Sequence, residues 1–387
     1  MPASPIRKLA PFAADAKKRG IKVYHLNIGQ PDLPTPEEGL EALKHVDRKV
    51  LEYSPSQGYP QYLEKLVGYY KRYDINLSVD DIIVTCGGSE AVQMAFMVCL
   101  NPGDEIIIPE PAYANYMGFA CETGAKVRTI TTHIEDGFAL PPVEEFEKVI
   151  NERTRAIMIT NPGNPTGAVL EPEELKLMLD IAKEHDLLIV CDEVYREFVY
   201  GGEPLMSALQ FEGYEQNVVV IDSVSKRFSA CGARVGMLIS RNQDFMRQAM
   251  KWCQCRLCSA TVDQVAAAAL YRLDPSYFDA VREEYKRRRD TLMRCLKKIP
   301  GVVCREPKGA FYVMAALPVD DSDRFQHWLL NEFDDHGDTV LFACGEPFYG
   351  TPGKGKNEVR MAYTINCADI ERAMEVLAVA IEKYNAK

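Results

Sequence analysis

The sequence predicts an α/β fold, with a large domain built on a mostly parallel seven-stranded sheet and a smaller α+β domain beside it. Three observations carry this. Between about residue 80 and residue 240, seven short β-branched runs alternate with helical patterns. These runs are apolar throughout and do not alternate, as strands do when helices cover both faces of a parallel sheet. After Asp274 the rhythm changes to a long charged helix, two short runs and a final amphipathic helix.

The elements follow in order. IIVTC (82–86) is the first strand, and it runs into GGSEAVQMAFMVCL, two glycines and a serine opening an apolar helix. EIIIPE (105–110) and KVRTITT (126–132) come next, then AIMITN (156–161), which ends in the turn NPGNPTG. PEELKLMLDIAKEHD (172–186) has apolar residues at helical spacing and glutamates in its first turn, where they complement the helix dipole. LLIVCDE (187–193), NVVVIDS (217–223) and VGMLIS (235–240) complete the seven. Beyond them, residues 275–299 form the charged helix, whose run KRRRD is expected to be a solvated face. GVVCREP, GAFYVMAAL and the closing helix IERAMEVLAVAIEKY build the smaller unit.

The chain has 387 residues, 47% of them apolar, which is ample for a large core. Its formal net charge of -11 argues against nucleic acid or an anionic membrane as the main partner. The start lacks the apolar core of a signal peptide, no run is long enough to span a bilayer, and a cytoplasmic protein is expected. Twelve cysteines are scattered through apolar patterns, as buried free thiols in a reducing compartment are. Cys253, Cys255 and Cys258 stand together in CQCRLC, but no fourth ligand is nearby and the setting is helical, so zinc is not expected. No metal spacing is visible among the six histidines.

Four strand ends carry chemistry: GGSEA after residue 86, NPGNPTG after 160, DEVY after 191, and SVSKRFSACGAR after Asp222. In an open α/β sheet, ligands sit outside the carboxyl ends of the strands, so these ends point to one crevice. Lys226 attacks an aldehyde only as a free amine, which a neighbouring cation such as Arg234 would favour. Ser223, Ser225 and Arg234 offer donors to a phosphate. Taken alone, Lys226 is equally well a surface lysine after a strand. The amides of Gly88, Ser89 and Glu90, at a helix N-terminus, suit the same phosphate.

From NIGQPDLPTP (27–36) to VRMAY (359–363), these motifs resemble the class I/II aminotransferases, pyridoxal phosphate (PLP) enzymes of fold type I. The resemblance implies that Lys226 bonds the cofactor aldehyde and serves as general base and acid. It makes Asp192 the partner of the pyridine nitrogen, with a helix cap as the alternative for that residue. Tyr195 and Asn164 would bond the phenolate edge of the ring, and Tyr113 would stack on the ring unless it only packs the core. Tyr53, with Tyr59 as the alternative, would reach the phosphate of a neighbouring subunit, which implies a homodimer with shared active sites. Arg360, with Gly29 and Asn164, would clamp the substrate α-carboxylate through a planar bidentate fork. In this family the N-terminal segment joins the small domain, so residues 46–274 would form the large domain and 1–45 with 275–387 the small one. One departure stands out. Where many relatives carry proline and glycine, this chain reads CGEPFYG (344–350), which leaves the conformation of that loop open.

The implied reaction moves an amino group from an L-amino acid to a 2-oxo acid. Aspartate-, alanine- and aromatic-type donors are all compatible with Arg360, which meets only the α-carboxylate. A PLP-dependent C–S β-lyase of the same fold is the alternative, since fold and cofactor do not fix reaction type. A non-enzymatic vitamin sensor would need a fused DNA-binding segment, which is not expected before Asn27.

Overall fold

The computed structural model describes residues 8–387. Its strands are β1 (Lys22–His25), β2 (Ile82–Thr85), β3 (Glu105–Glu110), β4 (Lys126–Thr131), β5 (Thr154–Thr160), β6 (Leu188–Asp192), β7 (Val218–Ser223), β8 (Gly236–Ile239), β9 (Val303–Cys304), β10 (Tyr312–Ala316), β11 (Asp338–Leu341), β12 (Ala343–Cys344) and β13 (Glu358–Ala362). Seven form one sheet in the order β2-β8-β7-β6-β5-β3-β4. Only β8 runs against its neighbours. β2, β7 and β8 are buried at every position, which is why they read as unbroken apolar runs, whereas the edge strand β4 leaves Lys126 and Arg128 exposed and is not apolar throughout.

Register brings the chemical strand ends together. Thr160 pairs with Asp192, Asp192 with Ile221, and Ser223 with Gly236, which itself pairs with Thr85. The carboxyl ends of β2, β5, β6 and β7 therefore share one edge. Above it stands a four-stranded sheet, β12-β13-β10-β9, and a two-stranded parallel pair, β1 with β11, which ties the first strand of the chain to residue 338 and beyond.

Helices cover these sheets by burying one stripe each. The helix Pro172–Glu184 starts with Pro at its first position and a reciprocal cap between Glu171 and Glu174, and it buries Leu175, Met178, Leu179, Ile181 and Ala182. The helix Ser276–Leu296 packs on the final helix Cys367–Asn385. Here one expectation is corrected: KRRRD is not wholly solvated. Arg288 and Arg289 are buried, because Arg288 bonds Asp32, Glu284 and the Thr364 carbonyl while Arg289 reaches Asp290 and the Pro307 carbonyl. Charge at helical spacing thus serves packing here, since long stems and forked heads can be buried when their donors are met.

Cys253 is buried in the helix Gln243–Arg256 with its sulfur 3.9 Å from that of Met94, Cys255 is exposed on the same helix, and Cys258 lies beyond its end. Among the described residues no helix is long and apolar enough to cross a membrane.

Candidate active site

A cavity of about 480 Å³ opens where the strand ends meet. Its lining includes Gly29, Gly88, Ser89, Tyr113, Asn164, Asp192, Tyr195, Ser223, Ser225, Lys226, Arg234 and Arg360, residues spread over more than three hundred positions of sequence. Lys226 lies in a single turn, Val224–Arg227, that follows β7 directly. Its ammonium donates to the Gly29 carbonyl at 2.8 Å. Gly29 is thereby placed at the lysine, and it admits no side chain, because a Cβ there would fall 1.7 Å from the Tyr312 hydroxyl.

One end of the cavity is an anion cradle. The helix Gly87–Cys99 presents its free N-terminal amides there. Gly87 adopts a φ of +79°, and a Cβ on it would meet the Arg234 guanidinium at 2.3 Å, so guanidinium and helix end are packed as closely as glycine permits. Arg234 is held there by the carbonyls of Cys231 at 2.9 Å and Cys86 at 3.4 Å. Ser223 caps the lysine turn by accepting from the Ser225 N–H, and its hydroxyl oxygen lies 2.8 Å from that of Ser225.

The floor is Asp192. Its carboxylate accepts from the Tyr116 hydroxyl at 2.6 Å and the Val194 N–H at 3.1 Å. Burial pushes its pKa up to about 6, against the pull of those two donors, and Lys226 acts on it more weakly in their direction. Tyr195 is buried beside it and its hydroxyl lies 2.8 Å from that of Tyr312. Burial keeps the Tyr195 phenol well above its ordinary range and therefore protonated.

At the far end Arg360 is 3% exposed. It donates to Asn164 Oδ1 at 3.0 Å and to the Asn27 carbonyl at 2.8 Å, and its carbon lies 4.5 Å from the Tyr312 ring centre and 5.1 Å from that of Phe348. Its Nε is buried with no acceptor among the described residues, an unmet donor in a pocket wall.

Two expected positions stand apart. Glu90 is not on the cavity wall: as the fourth residue of its helix, its N–H falls within the intrahelical ladder, and its carboxylate accepts from the Cys86 N–H and from Arg256. Tyr53 is 75% exposed and does not line this chain's cavity, and neither does Tyr59, whose hydroxyl accepts from Arg48. The sequence reading missed Tyr116 and Tyr312. Both sit inside apolar helical or strand patterns, where a tyrosine reads as core; Tyr116 lies on the helix Asn115–Thr123, just after Tyr113.

The donor set matches a phosphorylated aromatic aldehyde: an anion cradle, a carboxylate for a ring nitrogen, a phenol, and an amine between them. Comparison with known proteins agrees. The model of the family "Aminotransferase class I and II" matches residues 21–377. An aspartate aminotransferase of Pyrococcus horikoshii is 33% identical over 93% of this chain and 91% of its own length. An aromatic-amino-acid aminotransferase of Thermococcus litoralis is 32% identical, covering 96% and 94%. Among solved structures, an alanine aminotransferase of Pyrococcus furiosus superposes with a TM-score of 0.89 at 30% identity, over 98% of this chain and 97% of that one.

Proposed function

Because this chain belongs to the class I and II aminotransferases, a family of PLP-dependent enzymes, we propose that it moves an amino group from an L-amino acid to a 2-oxo acid through Lys226. The observation that carries this reading is the single cavity in which Lys226, Asp192, the Gly88–Ser89 helix end and Arg360 converge. The named relatives act on aspartate, aromatic amino acids and alanine, and donors of these three types are the substrates assigned here. None of these relatives is a C–S lyase, and no contact in the cavity favours that alternative.

Bound PLP supplies the aldehyde that condenses with amines and the ring that takes up the electron pair of a broken α-carbon bond. The chain does the rest. Lys226 Nζ would hold the cofactor aldehyde and, as a free amine, would take the substrate α-proton and return it, as general base and then acid. Its bond to the Gly29 carbonyl fixes where that nitrogen waits. Asp192, as a carboxylate, holds a proton on the pyridine nitrogen, with Tyr116 keeping it oriented. Tyr195 and Asn164 would donate to the phenolate edge of the ring, and Tyr113 would stack on it; all three line the cavity. Ser225, Arg234 and the amides of Gly88 and Ser89 would hold the phosphate, with Ser223 capping the turn that presents Ser225. Arg360 takes the substrate carboxylate with Asn164 beside it; its two flanking rings exclude water and its unmet Nε awaits an acceptor.

The working unit is a cytoplasmic homodimer with residues 46–274 as large domain and 1–45 with 275–387 as small domain. An exposed apolar strip supports the dimer: Val50, Leu51, Tyr53, Trp252 and Leu257, on segments joined by the Arg256 bond to Ser56 and the Thr261 bond to Glu52. Tyr53 would then reach the phosphate of the other subunit. All twelve cysteines are unpaired, which suits a reducing compartment. Borohydride reduction followed by peptide mapping tests the assignment. The modified residue is expected to be Lys226, and a saturated, reduced enzyme without it would overturn the reading. Loss of the cofactor absorbance as each amino acid is added then identifies the donor.

A further inference from the structure

Glu110 ends β3, is fully buried, and takes no part in the chemistry above. Among the described residues its carboxylate meets a hydroxyl and two main-chain amides: Thr131 donates to Oε1 at 2.7 Å, and the N–H groups of Gly350 and Thr351 donate to Oε2 at 2.7 and 3.1 Å. A buried acid is costly unless its oxygens are met, and bonds to a charged acceptor are about twice as strong as neutral ones. The two amides lie some 240 residues further along the chain, at the last residue of the CGEPFYG loop left open by the sequence and at the residue that follows it. Two more contacts follow the same seam. The Ala112 N–H donates to the Phe348 carbonyl at 2.8 Å, and the hydroxyls of Thr129 and Thr351 lie 3.1 Å apart. Phe348, at the centre of this loop, faces the Arg360 guanidinium, and Tyr113 on the cavity wall is the residue after Ala112.

We infer that Glu110 is a positioning residue for substrate recognition: it anchors the 345–351 loop to the carboxyl end of β3 and, through Phe348, fixes the orientation in which Arg360 meets the α-carboxylate. This rests on the reading of Arg360 as the carboxylate clamp. Glu110 touches neither substrate nor cofactor, so its loss acts on binding and leaves the proton transfers at Lys226 intact.

The test is steady-state kinetics of the cofactor-loaded enzyme with a donor the wild type accepts. Glu110→Met keeps the length of the side chain and removes every acceptor; it is expected to raise KM about tenfold with kcat within about twofold and the cofactor absorbance unchanged. Glu110→Gln keeps an oxygen for the two amides and is expected to return KM to within about threefold of wild type. Thr351→Val weakens the seam from the loop side without touching the buried acid, and a rise of about twofold in KM decides the matter if the Met variant does not fold. An unchanged KM in Glu110→Met, or in Thr351→Val where only that variant folds, overturns the inference. So does a joint fall of kcat and cofactor retention that Glu110→Gln does not relieve. Arg360→Met separates the two claims: if it leaves KM unchanged the clamp reading fails, whereas if it raises KM and Glu110→Met does not, only the anchor fails.

Discussion

Burial raises the Asp192 carboxyl from an ordinary value of 3.8 to about 6, and among the described residues the Tyr116 hydroxyl and one amide ease its charge from within hydrogen-bonding range. The consequence is measurable in the cofactor-free protein. A raised folded value favours the protonated form, so stability is full below about pH 4 and is lost as pH rises through about 6, a displacement worth about 3 kcal/mol. Asp192→Asn, which cannot ionise, is therefore expected to melt a few degrees higher than wild type at pH 8 once cofactor is removed, with the advantage gone below about pH 4. In the loaded enzyme the same variant is expected to lose about a hundredfold or more in turnover, since the ring proton loses its partner. Equal melting of the two apoproteins at pH 8 would refute the cost assigned to that charge. Asp192 shows how far sequence reaches at this scale. Its position at a strand end was legible because the preceding run LLIVC is unbroken, whereas Tyr116, which orients it, and Tyr312, which backs Arg360, lie in patterns that any buried aromatic would satisfy. Glu110 was hidden for the converse reason: a lone acid at the end of a strand has no periodicity, and its partners sit in a loop far away in sequence.

Among the elements, the helix Gly87–Cys99 and the segment that carries Arg234 meet at one glycine. Gly87 combines a left-handed φ with a guanidinium in the place of its missing Cβ. Gly87→Ala must strain the backbone and displace Arg234, at a cost of about 1–2 kcal/mol for the conformation alone. The expected result is cofactor loss about tenfold faster on dialysis, with Lys226 still reducible onto added PLP; retention equal to wild type would show that the cradle does not depend on this contact. Most strands of the main sheet were legible because covered parallel sheets have a distinctive apolar signature, whereas the edge strand β4, with Lys126 and Arg128 exposed, was legible by its β-branched residues. Strand directions were less so. That β8 opposes its neighbours follows from pairing geometry, since VGMLIS reads no differently in either sense. The buried face of KRRRD was missed because charge pattern alone does not distinguish a solvated arginine from one whose fork is met by carbonyls.

For the whole molecule, the proposed sharing of sites makes a prediction that no single chain can satisfy. Lys226→Ala and Tyr53→Ala are each expected to be impaired as homodimers, yet in a mixed dimer one site draws an intact lysine from one chain and an intact tyrosine from the other. Co-expressed in equal amounts, the two variants should recover about a quarter of wild-type sites, because about half of the dimers are mixed and each holds one complete site. No recovery would place Tyr53 within its own subunit or outside the site. Such sharing was only implied by resemblance, since a monomer's sequence carries no mark of which exposed tyrosine a second copy receives.

The pairing of β1 with β11, and the bonds of Arg360 to Asn27 and Asn164, mean that the pocket is closed by an early and a late segment of the sequence around a middle that holds the lysine. Ribosomes deliver those two segments at different times. The first strand must wait, unpaired along that edge, for more than three hundred residues to be made, and a product cut short before Glu358 has the phosphate cradle but neither Arg360 nor the β13 strand that carries it. Competence to select a substrate therefore arrives only once β13 is made, more than a hundred positions after the lysine.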